Sequence, residues 1–255
     1  STHCESSAAS EVYKRQIYAM RIPRIFYPFE TEEKNSINLN IAASHHLKVI
    51  NIKKEQNVEL FNGNGYFFNA KVIDHNKKNI VLERTSDINF QKKQIPSINI
   101  AVAEIKSFDK VIREVCQAGI DSISSIKTKK TKFSKLPSEK KIMRWKSIAF
   151  NSCEQSGLNW VPKIYSSSLQ DWIAFSNSKC KIFLDPNARN NIQELELFSS
   201  IDLLIGPEGG FSEEEKIFFK KNNFKSISCG NLTFRTETMP IVALSMIKAL
   251  YGVKK

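Results

Sequence analysis

The 255-residue chain is poor in the features that would fix it in a membrane or outside a cell. No run of about 18 apolar residues is present to span a bilayer. No charged start leads into an apolar core and a small-residue cleavage site, so a cytoplasmic protein with no membrane partner is expected. Cysteine is scarce and unpaired in pattern: Cys4, Cys116, Cys153, Cys180 and Cys229 are odd in number, lie far apart and form no C-x-x-C. That spacing excludes the usual zinc or redox pairs and reads as reduced structural thiols, with no metal expected. Acidic residues fall short of basic ones, 26 Asp and Glu against 38 Lys and Arg, which leaves a net charge of +12. Such a surplus attracts phosphate polyanions or anionic membranes, and with no membrane feature in the chain nucleic acid is the expected partner. A basic ribosomal protein and an RNA-directed enzyme share this composition, so motifs must separate them.

A hydrophobic content of 41% over this length supports a buried core and, at roughly 100 to 200 residues per domain, two domains. Residues 1–19 are Ser-rich and polar without a sustained period, and read as a disordered or non-native tail. Residues 20–93 hold short β patterns: VELFNG (58–63), GYFFNAKVI (65–73) and KNIVLER (78–84). Between the first two, Asn62-Gly63-Asn64-Gly65 supplies residues that tolerate the positive φ of a tight hairpin, and a small β-barrel follows. After the polar KKQIPS bridge (92–97), strands and helices alternate across 94–255: INIAVAEI, a helix near 108–118, IDSISSI, a helix near 138–157, KIFLD, LLIG, a helix from Ser212, SISCG, and a last helix from about Pro240. Alternation of this kind predicts a parallel sheet with crossover helices, whose ligands sit at the carboxyl ends of strands.

Three segments carry chemistry. Leu203–Glu215 (LLIGPEGGFSEEE) runs an apolar strand into Gly206, Gly209 and Gly210, which let a ligand approach the backbone closely. Ser212 and Glu215 then form a capping box that marks a helix start. A tight strand-to-helix connection is the alternative, and the missing G-K-[ST] ending argues against a phosphate loop. Cys229–Met239 (CGNLTFRTETM) again places glycine at a strand end, before a polar cluster that either caps the last helix or serves the site. The third, Lys127–Lys146, carries nine basic residues against the single acid Glu139, with Phe133 and Trp145 interleaved. Either a solvated face or an RNA phosphate contact through Lys129, Lys130 and Lys132 explains it.

Taken in order, MRIPRIFY (20–27), HHLKVI (45–50), ELFNGNG (59–65), the pattern W..IA...CEQSG..WVP (145–162), the I-G-P-E-G-G loop and F-R-T-E-T-M make the chain resemble the RsmE family, 16S rRNA uridine N3-methyltransferases of the SPOUT class. The resemblance covers nearly everything from Met20 onward. It implies an α/β SPOUT domain with a parallel sheet and a deep trefoil knot, preceded by a small PUA-like β-barrel that helps hold RNA. It also implies S-adenosyl-L-methionine (SAM) as cofactor, cradled in a bent form by Leu184, Ile205, Gly206, Gly209, Gly210, Cys229, Gly230, Leu232 and Phe234, with backbone amides reading the adenine. A homodimer acting on ribosomal RNA or the small ribosomal subunit completes the picture.

Methyl transfer from a sulfonium is an in-line displacement, so the protein must align uracil N3 with the methyl carbon and exclude water. The N3 proton has to leave, and a positive environment favours the resulting anion. Arg235 is expected in that role or on the target phosphate, oriented by Glu237, with Arg24 on RNA. His45 and His46 are adjacent and point different ways on any regular element, which fits a packed helix start or RNA contact better than a metal pair. Glu208 is expected to close its turn by accepting backbone N–H bonds. Asn51, Leu158 and Trp160 stand where the family carries arginines, NLTF replaces the usual P-R-x-L before RTET, and the helix near 108–118 lacks the usual Q-K-x-x-E-L-G wording. A non-catalytic RNA-binding or ribosome assembly protein on the same fold, and a related methyltransferase acting on tRNA, are the competing expectations.

Overall fold

The computed structural model describes residues 22–30, 35–39, 41–75, 79–132, 135–232 and 234–252, without the side chains at 41, 42 and 45. The expected tail at 1–19 and Cys4 lie outside them. The chain divides into two compact units, one reaching to residue 62 and continuing over 66–91, the other taking 63–65 and everything from 92.

In the first unit, β1 (Arg24–Phe26), β2 (Ser36–Asn38), β3 (Asn57–Phe61), β4 (Tyr66–His75), β5 (Ile80–Arg84) and β6 (Asn89–Phe90) form one sheet in the order β1-β3-β4-β5-β2, with β6 on β4. Side chains alternate across a strand, so Val58 and Leu60, then Phe68, Ala70 and Val72, all turn inward onto Leu47 of helix α1 (Ile41–Val49). The expected hairpin joins β3 to β4, with Gly63 and Gly65 at φ of 78° and 90°. Helix α1 ends in a left-handed turn: Asn51 has φ 56°, its N–H donates to the Lys48 carbonyl, and the Ile52 N–H reaches back to Leu47. Asparagine tolerates that conformation better than arginine, so Asn51 suits this helix end.

The second unit is built from β7 (Ser97–Ala103), α2 (Phe108–Ala118), β8 (Ser122–Lys127), α3 (Glu139–Ser156), β9 (Lys163–Ser168), α4 (Leu169–Phe175), β10 (Cys180–Leu184), β11 (Ser200–Ile205), α5 (Glu213–Lys221), β12 (Lys225–Ile227) and α6 (Met239–Leu250). Its strands run parallel in the order β12-β10-β11-β7-β8-β9. Each strand feeds two cores by alternation. Ile100, Val102, Ile182, Leu203 and Ile205 face α2, α3 and α6, while Ala101, Phe183 and Leu204 face α4 and α5. Fully burying one such large apolar side chain contributes about 1.5 to 3 kcal/mol, which is why a sheet covered on both faces reads as nearly continuous apolar runs. Among the described residues no helix is long and apolar enough to cross a membrane.

Strand β11 starts three residues before the apolar LLIG because Ile201 and Asp202 belong to it. Asp202 is buried, and Ser176, Ser178 and Asn99 each donate a hydrogen bond to its carboxylate. Cys116, Cys153 and Cys180 are buried thiols outside any disulfide, and Cys229 is a half-buried one.

Candidate cofactor site at the strand ends

Strands β10, β11 and β12 end level with one another: Leu184 pairs with Ile227, and Phe183 with Leu204. The glycine loop that follows Ile205 and the loop that follows Ile227 therefore leave from the two strands flanking β10. Two strand spacings put these exits roughly 10 Å apart. Chain order reverses here as well, since β8 and β9 extend the sheet from β7 one way while β10, β11 and β12 extend it the other. Open parallel sheets bind ligands at the carboxyl ends of strands beside such a reversal.

The first loop is tight. The Gly210 N–H donates to the Pro207 carbonyl at 2.8 Å, with Gly210 at φ 63°. This main-chain bond closes the turn, so the expectation for Glu208 is corrected: its side chain is exposed and makes no hydrogen bond among the described residues. A Cβ on Gly206 would stand 3.1 Å from the Phe211 ring, and that ring is buried against Phe183 and Phe219. A Cβ on Gly206 would therefore press on this packing, whereas a Cβ on Gly210 would meet nothing within 4 Å.

Helix α5 opens as the capping box predicts. The Ser212 hydroxyl accepts from the Glu215 N–H at 3.2 Å, and Glu215 Oε2 accepts from the Ser212 N–H at 2.8 Å. Its other oxygen, Oε1, accepts from the Lys129 N–H at 2.7 Å, so both oxygens of this buried carboxylate are satisfied.

In the second loop, Ser228 donates its N–H to Asn190 and accepts from Ile192, while its hydroxyl accepts from the Gly230 N–H at 3.1 Å. Gly230 has φ 100°, and a Cβ there would also face open space. Cys229 packs against the core, and burial pushes its thiol up to about 11, which keeps it protonated at neutral pH. Phe234 is half-buried, but Leu232 is 74% exposed. Arg235 and Glu237 follow in the turn before α6, where the Arg235 carbonyl accepts from the N–H groups of Thr238 and Met239. The Arg235 side chain is exposed, and no ion pair joins it to Glu237 among the described residues.

The basic loop after β8 divides by role. Lys130 Nζ donates to the carbonyls of Gly209 (2.8 Å) and Phe211 (3.4 Å), Lys129 forms an ion pair with Glu214, and Lys132 stands exposed. In the first unit, Arg24 is only 13% exposed in its side chain, ion-paired to Glu59 and stacked 4.8 Å from the centroid of Phe61.

One pair escapes any reading of the sequence. Asp185, the residue after β10, accepts from Lys216 of α5 at 2.9 Å. Burial opposes its ionisation, but the Lys216 ammonium and the Asn187 N–H outweigh that and hold the carboxyl below its usual range. An acid directly after KIFL was the available signal, whereas Lys216 had none.

A cleft of about 620 Å³ opens by the amino-terminal ends of β10 and β12, and none of the loop glycines lines it. Among the described residues no group of three His, Cys, Asp or Glu is placed to hold a metal ion.

The model of the RNA methyltransferase domain matches residues 91–248, and that of the RNA methyltransferase PUA domain matches 40–83. A ribosomal RNA small subunit methyltransferase E of Buchnera aphidicola is 28% identical over 242 residues, covering 91% of this chain and 98% of that protein. One from Mesomycoplasma hyopneumoniae is 28% identical over 227 residues, covering 86% and 96%. Among solved structures, a candidate methyltransferase of Legionella pneumophila with bound SAM is 26% identical, with a TM-score of 0.79 and coverage of 90% and 98%. The fold is also that of a Neisseria gonorrhoeae ribosomal RNA small subunit methyltransferase E solved with SAM, at 22% identity, a TM-score of 0.83 and the same coverage.

Proposed function

Because the chain belongs to the RNA methyltransferase domain family, whose model matches residues 91–248, we propose that it methylates N3 of a uridine in the 16S RNA of the small ribosomal subunit, with SAM as donor. The single observation that carries the cofactor assignment is the pair of glycine loops at level strand ends, where Gly210 and Gly230 present backbone with no side chain to open space. That space leaves room for a ligand read by main-chain groups, and the Legionella relative is solved with SAM bound. When bound, SAM supplies an electrophilic methyl on a sulfonium. The chain's own part is to align the base with it and keep water out.

Leu184, Ile205, Gly206, Gly209, Gly210, Cys229, Gly230, Leu232 and Phe234 would form the cradle, with Gly206 acting through the packing of Phe211. Arg235 would stabilise negative charge as N3 loses its proton, or hold the target phosphate, and its exposed guanidinium suits either task. Glu237 would orient it once RNA is bound. Residues 20–93, with Arg24, would hold RNA while 94–255 carry the reaction. The deep trefoil knot, a homodimer and a cytoplasmic location belong to the same reading.

The test is incubation with tritiated SAM and two competing acceptors, small ribosomal subunits and tRNA. Label at uridine N3 of the subunit RNA is expected, and it should vanish in Arg235→Ala while cofactor affinity persists. Label on tRNA alone, or none with a cofactor-binding protein, would overturn the assignment.

A further inference from the structure

We infer that Lys130 is a positioning residue for the cofactor loop, an ammonium that ties the turn after β8 to the main chain of the glycine loop across the end of β7. The inference rests on the cofactor assignment proposed above and departs from the expectation that Lys130 meets RNA.

Strand β7 stands between β8 and β11, so any contact between the turns that follow β8 and β11 must pass over its carboxyl end. The turn after β8 is held for that reach. Thr128 is buried, its N–H donates to the Thr131 hydroxyl at 3.0 Å, the two hydroxyls are 2.8 Å apart, and the Thr131 N–H donates to the Thr128 carbonyl. Between them, the Lys129 N–H is anchored on Glu215 at 2.7 Å, which fixes where Lys130 begins. Its stem lies along Gly209, where even a Cβ would sit at an ordinary van der Waals distance of 3.4 Å from Lys130 Cδ. The ammonium then donates to the carbonyls of Gly209 and Phe211, on either side of Gly210.

Two charge-assisted bonds bracket the residue whose backbone faces open space. Fixing these carbonyls fixes the planes of the two peptides that follow them, and hence the direction of the groups a cofactor would meet. Three donors on one compact ammonium suit this role.

The test uses the full chain and two variants. Lys130→Met keeps the stem over Gly209 and removes the ammonium, and Lys130→Arg restores donors to both carbonyls. Calorimetric titration with SAM, without RNA, should show about tenfold weaker binding for Lys130→Met, the expected size for losing such bonds, and near wild-type binding for Lys130→Arg. Affinity for small-subunit RNA should stay within about twofold in Lys130→Met at physiological salt, because the donors of Lys130 point at main-chain carbonyls and not at phosphate, so only a screened long-range charge is lost. Unchanged SAM affinity in Lys130→Met would overturn the inference, as would a loss of RNA affinity with SAM binding intact. No SAM binding by the unmodified protein would instead overturn the cofactor assignment on which the inference stands.

Discussion

Asp185 and Lys216 show how one contact shapes the site without touching a ligand. The pair ties the residue after β10 to helix α5, at the junction between the two glycine loops. Because the Asp185 carboxyl is held below its usual range when folded, its contribution to stability is present above the unfolded value near 4 and is lost as pH falls through the lower folded value. Asp185→Asn should therefore lower unfolding free energy at pH 7 by about 1 to 3 kcal/mol, the range for a hydrogen bond to a charged group. Urea titrations from pH 7 to pH 3 should show the gap between wild type and variant closing toward the acid end, whereas a constant gap would assign the loss to packing. Sequence showed the glycines and Ser212 with Glu215 because their spacing is local. It hid Lys216 with Asp185, and Lys130 with Gly209, since those partners are separated by 31 and 79 residues and only the fold brings them together.

Elements with a strong period were legible and weak ones were not. Helices α2, α3 and α5 and the long apolar strands announced themselves by periodicity and caps. Strand β9 and helix α4 did not, because KIYSSS offers little apolar alternation and α4 is only seven residues long. Strand β11 was truncated in expectation because aspartate is depleted in strands, and Asp202 is accommodated only through donors from Ser176, Ser178 and Asn99. Helix α1 shows the opposite case, an end set by the local geometry of one residue. With Asn51 at φ 56°, Asn51→Arg should cost about 1 kcal/mol, while Asn51→Gly should be close to neutral. Chemical denaturation checks both, and an Asn51→Arg protein as stable as wild type would assign Asn51 to something other than helix termination.

At the scale of the whole molecule, a surplus of 12 positive charges and two compact units agree with an RNA-directed family, but neither feature names the chemistry. The chemistry depends on topology. Placing β10 between β11 and β12 brings together loops that leave the sheet about 20 residues apart in sequence, and glycine leaves their backbone uncovered at Gly210 and Gly230. The most direct measurement is calorimetric titration of SAM into the wild-type protein, Gly210→Val and Gly230→Val, with unfolding midpoints recorded for all three. The account predicts one site per chain in the wild type and binding lost in both variants; each stays folded with a midpoint below wild type, because valine at φ 63° or 100° is strained even where its side chain enters open space. A wild type that takes up no SAM, or folded valine variants that bind it as tightly as the wild type, would contradict it.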